Sequence, residues 1–184
     1  MKTLLRQGLQ RLTGASSQAV FELKQAMGGG KTHSMLAFGY LAANPSLASL
    51  TPPEITSGFK PVQAKVAAVS GRSTSRDKHL WGDIAEQLGK APQFVRFYKG
   101  APEAPNEKDW IDLIGDEPVL ILLDELPPYF GYAMTQAVGG GTLADVATYA
   151  LSNLLTAALK LKSSASSSRT CPAATMAPRK RFQR

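Results

Sequence analysis

The stretch Gln25-Ala26-Met27-Gly28-Gly29-Gly30-Lys31-Thr32 decides how the rest of this 184-residue chain is interpreted. An apolar run that ends at Leu23 precedes it, and a helix-like segment over residues 31–43 follows it. The order strand, glycine loop, helix is typical of loops that surround phosphates with backbone N–H groups. In the general template four residues separate a first glycine from the final Gly-Lys-Thr, and here Gln25 stands at the position of that first glycine.

The three consecutive glycines can be explained as a flexible turn or as a phosphate cradle. Glycines allow a close approach of the backbone to phosphates, and Lys31 and Thr32 follow them directly at the start of the helix. We therefore predict that the lysine contacts the β and γ phosphates and that the threonine binds Mg²⁺. The predicted nucleotide-binding residues are Gly28, Gly29, Gly30, Lys31 and Thr32.

A second motif, the apolar run Val119 to Leu123 followed by Asp124-Glu125, strengthens this interpretation. A strand that is apolar on both faces belongs inside a sheet with helices on both sides. In P-loop ATPases the aspartate at the end of such a strand helps to hold Mg²⁺, and a neighbouring glutamate can orient the attacking water. A solvated strand end is the usual explanation of two such carboxylates alone. Together with the glycine loop, they favour one nucleotide site.

The chain divides into a leading helix (1–18), a patterned body (19–162) and a tail (163–184) rich in Ser, Ala, Pro and Arg. Strand and helix patterns alternate along the body, which predicts an α/β domain with a mostly parallel, three-layer sheet of the P-loop NTPase type. Residues 46–60 are rich in Pro and Ser and predict an irregular surface loop. We expect strands at 19–23, 64–69, 94–98 and 119–123, and helices at 4–12, 31–43, 79–88, 106–114 and 142–161, with Asn106 as the N-cap of the helix at 106–114.

Composition narrows the possible functions. The net charge is +7, but seven basic residues lie from Lys160 onward without an acidic one, so residues 1–159 are neutral. A basic face for duplex binding is therefore not indicated. Cys171 is the only cysteine, which excludes an intramolecular disulfide and a thiolate zinc cluster. No apolar run approaches the roughly 20 residues that span a bilayer, so we expect no membrane and a cytoplasmic location.

Several other residues have two explanations. Arg72 and Arg76 could face a nucleotide or a neighbouring subunit, although solvated loop arginines are the commoner case. The glycines at 139–141 predict a mobile loop, with Thr142 capping the next helix. The basic run 179–181 could touch nucleic acid or an acidic surface, although a solvated tail explains it more simply.

Three segments resemble a family of large predicted prokaryotic ATPases: the run from Phe21 to His33, the run from Leu80 to Gly89, and Leu122-Leu123-Asp124-Glu125. Members of that family carry a P-loop domain of otherwise unknown function, often beside DNA-methylation or phage-defence genes. A glutamine likewise stands in them where the first loop glycine is expected. The resemblance covers roughly residues 9–159.

The resemblance implies binding of ATP and Mg²⁺ by the glycine loop, and hydrolysis of ATP. His33 falls within the matching run and joins the candidate nucleotide-binding residues, although a place in the first helical turn without chemistry explains it more simply. Lys31 and Glu125 would be the catalytic residues, with Thr32 and Asp124 at the metal. A homo-oligomer and DNA enter as partners from the family context alone, and no substrate is implied.

The tail departs from the family pattern. In the longer family members the chain continues into another strand, which lies between the loop strand and the Asp-Glu strand and carries a polar sensor at its tip. Here a serine-rich run follows Lys162, with a composition typical of disorder and of a truncated or out-of-frame reading. We hypothesise a fragment without that strand, its sensor or a later arginine finger, so that hydrolysis is weak or absent. An ordered strand inserted into the sheet within residues 162–184 would refute this hypothesis.

Three alternatives stay open at this point. A P-loop kinase or other phosphotransferase would need an acceptor pocket and an arginine-bearing lid, neither of which the sequence indicates. A GTPase is disfavoured because the chain has no Asn-Lys-x-Asp motif and no glycine three residues after Asp124. The third alternative is a non-catalytic remnant that acts only by binding a partner.

Overall fold

The computed structural model describes residues 2–23 and 30–162, and the backbone of residues 164–168. These residues form an α/β arrangement of helices and short strands. Two 3-10 segments, Pro45–Leu50 and Val95–Phe97, complete it. The helices are α1 (Lys2–Leu12), α2 (Lys31–Ala43), α3 (Pro53–Thr56), α4 (His79–Gln87), α5 (Ala91–Phe94), α6 (Glu107–Ile114), α7 (Leu126–Ala133) and α8 (Leu143–Lys160). The strands are β1 (Val20–Glu22), β2 (Lys65–Ser70), β3 (Val119–Asp124), β4 (Ala137–Val138), β5 (Gly141–Thr142) and β6 (Ser164–Ser168).

Four of the strands form one sheet in the order β1-β6-β3-β2, with every neighbouring pair parallel. Two separate apolar cores cover its faces. Helices α4 to α8 pack on one face, and α1, α2 and α3 pack on the other. The prediction of an α/β arrangement, with helices on both faces of a parallel sheet, is confirmed.

Strand β3 explains why the sheet is covered twice. Its alternate residues Val119, Ile121 and Leu123 belong to the first core, and Leu120 and Leu122 belong to the second. All five are almost fully buried. Because successive side chains of a strand point to opposite faces, a strand without a polar residue requires an apolar layer on each side.

Strand β6 corrects the prediction of a missing central strand. It lies between β1 and β3, with Ser166 opposite both Val20 and Ile121. The hypothesis of a fragment that lacks this strand is therefore wrong, and so is predicted disorder at 164–168. The serine-rich sequence has no apolar periodicity, but a central strand receives backbone hydrogen bonds from two neighbours, and these do not depend on side-chain type. Cys171 and the basic run 179–181 lie outside the described residues.

Arg11 fixes the segment that enters β6. Its buried guanidinium donates hydrogen bonds to Ser16 O (3.0 Å), Ala158 O (3.0 Å) and Leu161 O. The last two carbonyls belong to the final turn of α8 and the residue after it, where a helix leaves carbonyls without intrahelical partners. Burial lowers the pKa of Arg11. One charged side chain thus joins the end of α1 to the start of the central strand.

The predictions of three local elements had different outcomes. The strand predicted at 94–98 is wrong. Phe94 ends α5 and Phe97 lies in the following 3-10 turn. Both are buried, their rings contact each other, and the Phe94 ring also contacts Trp110 in α6. The predicted irregular loop at 46–60 contains a 3-10 segment and α3, whose Ile55 is buried. The predicted leading helix is present and ends at Leu12.

Two helices begin with the same reciprocal cap. Asn106 and Asp109 exchange side-chain to backbone hydrogen bonds at the start of α6, and Thr142 and Asp145 do so at the start of α8. Both predicted N-caps are confirmed. The glycines before Thr142, predicted as a loop, form the turn and the first residue of β5 in the β4–β5 hairpin.

The outer edge of β2 is closed by a side chain. Gln87 in α4 accepts from the Ala68 backbone N–H (2.8 Å) and donates to the Ala68 carbonyl (2.9 Å). These are the donor and the acceptor that a further strand would use. Among the described residues, no helix combines the length and apolarity needed to cross a membrane.

Candidate functional site

The candidate site lies at the edge of the sheet where the parallel strands end. In the register, Ser70 lies opposite Asp124, and Leu123 lies opposite Ser168. The segments that follow β1, β2 and β3 therefore start from the same edge, together with the first turn of α2. In open parallel sheets, ligands bind outside the carboxyl ends of the strands.

The first turn of α2 holds the described part of the glycine loop. Gly30 is the residue before the helix and has φ 71°, in the left-handed region that favours glycine. The helix then begins at Lys31, as predicted. Lys31 is half-buried, and Thr32 and His33 are exposed. The predicted phosphate-binding residues Gly28 and Gly29, and the unusual Gln25, lie outside the described residues.

The structure brings Thr32 and Asp124 together. The threonine hydroxyl donates a hydrogen bond to Asp124 Oδ2 across 3.1 Å, although the residues are 92 positions apart in the chain. The other oxygen of the carboxylate, Oδ1, accepts the Glu125 backbone N–H at 2.8 Å. The aspartate is thus held at the end of β3 with one oxygen directed to α2. The two predicted metal residues are neighbours.

Glu125 has an unusual backbone. It has φ 49° and ψ 42°, a left-handed conformation that costs a non-glycine residue about 1–3 kcal/mol. This conformation turns the chain sharply from β3 into α7. Gly71 packs against the turn so closely that a Cβ there would lie 2.3 Å from Glu125 O. The position of the glutamate therefore depends on a glycine in the loop after β2.

Arg72 forms an ion pair with the Glu125 carboxylate. Its Nε lies 2.8 Å from Glu125 Oε2, and the arginine side chain is 68% exposed. The sequence left open whether this arginine faces a ligand, a subunit or solvent, and the structure shows an exposed arginine paired with the candidate catalytic residue. Arg72 and Gly71 are the site residues that sequence reasoning undervalued. The available signal was their place directly after a strand that runs parallel to β3.

A shallow hollow opens beside Thr32 and Asp124. It lies between the first turns of α2 and the ends of β2 and β3, and its wall is mostly apolar. Its lining residues are Thr32, Met35, Leu36, Ala68, Val69, Ser70, Leu122 and Asp124.

The donors at this edge suit a hard cation with few protein ligands. Within the described residues there is no cluster of three or more His, Cys, Asp or Glu that could hold a metal by itself. Mg²⁺ is usually held by one or two protein oxygens together with waters and substrate phosphates. Because the Thr32 hydroxyl donates its proton to Asp124, its oxygen keeps lone pairs for a cation. The residues present therefore fit magnesium.

His79 and Tyr129 are buried nearby in α4 and α7. Neither His79 Nδ1 nor the Tyr129 hydroxyl forms a hydrogen bond within the described part of the chain. Burial lowers the pKa of His79, with Asp77 opposing the change, and burial raises the pKa of Tyr129. The histidine also has a left-handed backbone, φ 58°. It begins α4, as predicted.

Comparisons of the chain with protein-family models, with curated protein sequences and with solved structures find no match.

Proposed function

We propose that this chain is an ATP-binding domain of the P-loop type. The observation that carries the proposal is the hydrogen bond between Thr32 and Asp124, because it joins the first turn of the helix after the glycine loop to the end of the Asp-Glu strand. A shared magnesium site requires that Thr32 and Asp124 lie next to each other. A flexible glycine turn and a solvated strand end that share no ligand would not require this contact.

The strand order gives independent support. The resemblance implies that one strand lies between the loop strand and the Asp-Glu strand, and β6 occupies that position between β1 and β3. The proposal that the chain is related to the large prokaryotic ATPases rests on this order and on the three matching segments. A homo-oligomer and DNA are proposals from that family context alone.

The proposed roles follow from position. The N-terminus of α2 and the Lys31 ammonium would bind the phosphates of ATP. Thr32 would contact Mg²⁺, which neutralises charge on the β and γ phosphates, while Asp124 would accept a hydrogen bond from a water bound to the metal. Glu125 would orient the attacking water. His33 is exposed in the first turn of α2, beside Lys31 and Thr32, and from there it would contact a phosphate.

Glu125 would have to release Arg72 in order to orient a water through Oε2. Its carboxylate is paired with Arg72, so water would have to replace a guanidinium at Oε2. The pair is partly exposed, and exposed pairs contribute about 0–1 kcal/mol, so the exchange is cheap. An arginine from a neighbouring subunit can accelerate related reactions about 10³–10⁵-fold, and we therefore expect slow turnover by the isolated chain.

Nucleotide binding and turnover by three variants test the proposal. We expect Lys31→Ala to lose MgATP binding, and Glu125→Gln to bind MgATP without hydrolysing it. Lys108→Ala is the matched control, because Lys108 is an exposed lysine that pairs with Asp112 in α6, on the opposite face of the sheet from α2. Binding is measured by calorimetry and hydrolysis by phosphate release over hours.

Each alternative has a distinct outcome. Equal behaviour of the wild type, Lys31→Ala and Lys108→Ala would contradict nucleotide binding at the glycine loop and would favour a non-catalytic binding protein. Phosphate transfer to an added acceptor in preference to water would favour the phosphotransferase. Loss of binding in Lys31→Ala alone, with no turnover in any variant, would support a nucleotide-binding domain without hydrolysis.

A further inference from the structure

A separate cavity of about 240 Å³ lies between the loop after β2 and helix α7. Arg72, Thr74 and Arg76 contribute from the loop, and Tyr129 and Tyr132 contribute from the helix. None of these residues lines the hollow beside Thr32. The ion pair of Arg72 with Glu125 links this cavity to the candidate site.

The cavity is lined by two positively charged side chains. The Arg76 guanidinium lies 4.9 Å from the centre of the Tyr132 ring, an arrangement that restricts the side chain, and both residues line the cavity. In the described part of the chain, no carboxylate lies within ion-pair distance of Arg76. Arg72 is paired with Glu125. Two guanidinium groups thus line the cavity, and the carboxylates next to it are Glu125 and Asp83, the second of which accepts the Ser75 N–H.

The loop that carries both arginines is held in place before any ligand arrives. Gly71 N–H donates to Asp124 O (2.9 Å), and Ser75 N–H donates to Asp83 Oδ2 (2.9 Å). The Thr74 hydroxyl donates to Ser70 O (2.9 Å). A fixed loop lowers the entropic cost of binding. Because guanidinium groups match the geometry of phosphate oxygens, the ligand chemistry that fits two of them is a tetrahedral dianion.

We propose that this cavity binds a phosphate group through Arg76 and Arg72, at a site distinct from the glycine loop. The occupant and Glu125 compete for Arg72. The proposal does not depend on nucleotide hydrolysis, because the cavity and both arginines are present whether or not the glycine loop binds ATP. Two sources share this chemistry: free inorganic phosphate, and a phosphate monoester carried on an organic group.

Calorimetric titration with inorganic phosphate, at constant ionic strength and without nucleotide, tests the proposal. We expect Arg76→Gln to weaken binding about tenfold or more, because a charge-assisted hydrogen bond is lost. Arg96→Gln is the matched control. Arg96 is exposed, as Arg76 is, pairs with Asp109 and stacks on Phe97, but it is not among the residues that line this cavity. This control should bind phosphate like the wild type.

Two further variants separate the sites. In Lys31→Ala, which should weaken any binding of phosphate at the glycine loop, the component of phosphate binding that depends on Arg76 should remain. Glu125→Gln should bind phosphate a few-fold more tightly, because it no longer competes for Arg72. Competition by O-phosphoserine with the same dependence on Arg76 would identify a monoester as the ligand, and its failure to compete would identify free phosphate.

Three results would overturn the proposal. One is the absence of phosphate binding to the wild type, and another is equal binding by Arg76→Gln and Arg96→Gln. The third is loss of binding in Lys31→Ala with retention in Arg76→Gln, which would place the phosphate at the glycine loop. That last result would leave the proposed nucleotide site intact, so the two proposals fail separately.

Discussion

Strands β3 and β6 are neighbours in one sheet and are held in different ways. The side chains of β3 enter two apolar cores, and its interior residues are almost fully buried. The sequence of β6 is four serines and one alanine, and what the structure describes of it is backbone pairing to β1 and β3. The difference teaches that one sheet can combine a strand specified by its own residues with a strand specified by its neighbours.

The largest expected effect separates the two strands directly. Ile121→Ala should lower the free energy of unfolding by about 2–5 kcal/mol, because it leaves a cavity in the core. Ser166→Ala, at the position paired with Ile121, should cost about 1 kcal/mol or less, since it removes a single hydroxyl. Urea denaturation measures both. Equal losses would mean that β6 also depends on its side chains.

A smaller loss is expected where β6 is joined to the rest of the chain. Arg11→Met should cost about 1–3 kcal/mol, because the carbonyls of Ser16, Ala158 and Leu161 lose their common donor. Amide hydrogen exchange should accelerate in β6 before it does so in β3. Arg6→Met is the control, since Arg6 donates to Glu54 O at the surface. Uniform acceleration across the sheet would contradict a local role.

The helix caps provide a finer comparison, because α6 leads into β3 and α8 leads into β6. Asn106→Ala and Thr142→Ala should each cost about 1 kcal/mol through loss of a reciprocal cap. We expect the effect of Thr142→Ala on exchange to reach β6 and that of Asn106→Ala to stay in α6. Indistinguishable exchange patterns in the two variants would show that β6 is not the weaker strand.

The smallest effect is a titration. Hydrogen bonds from the Thr142 hydroxyl and backbone hold the pKa of Asp145 below its usual range. A lowered pKa in the folded state means that the contribution of this cap is fully present above the ordinary aspartate pKa and is lost as the pH falls through the lowered value. Carbon-13 NMR of the Asp145 carboxyl should show this pKa, and Thr142→Ala should return it towards normal. An unchanged pKa in the variant would contradict the assignment.

The same contrast explains what the sequence could and could not predict. The all-apolar β3, the helix that starts at Lys31 and the caps at Asn106 and Thr142 follow local rules, and all were predicted. The insertion of β6 could not be predicted, because its pairing depends on two strands distant in the chain. In the site, the meeting of Thr32 and Asp124 followed from the paired motifs. The Arg72 ion pair and the close approach of Gly71 to Glu125 required the fold.

The contact between Gln87 and Ala68 has a consequence for self-assembly. An exposed parallel edge invites strands from other molecules, and here one amide side chain already supplies the donor and the acceptor that an incoming strand would offer. Joining two copies through this edge would require the end of α4 to give up both hydrogen bonds. The Gln87 side chain therefore prevents the sheet from extending into a second molecule. Gln87→Ala should leave each molecule folded and should make concentrated samples more prone to ordered aggregation.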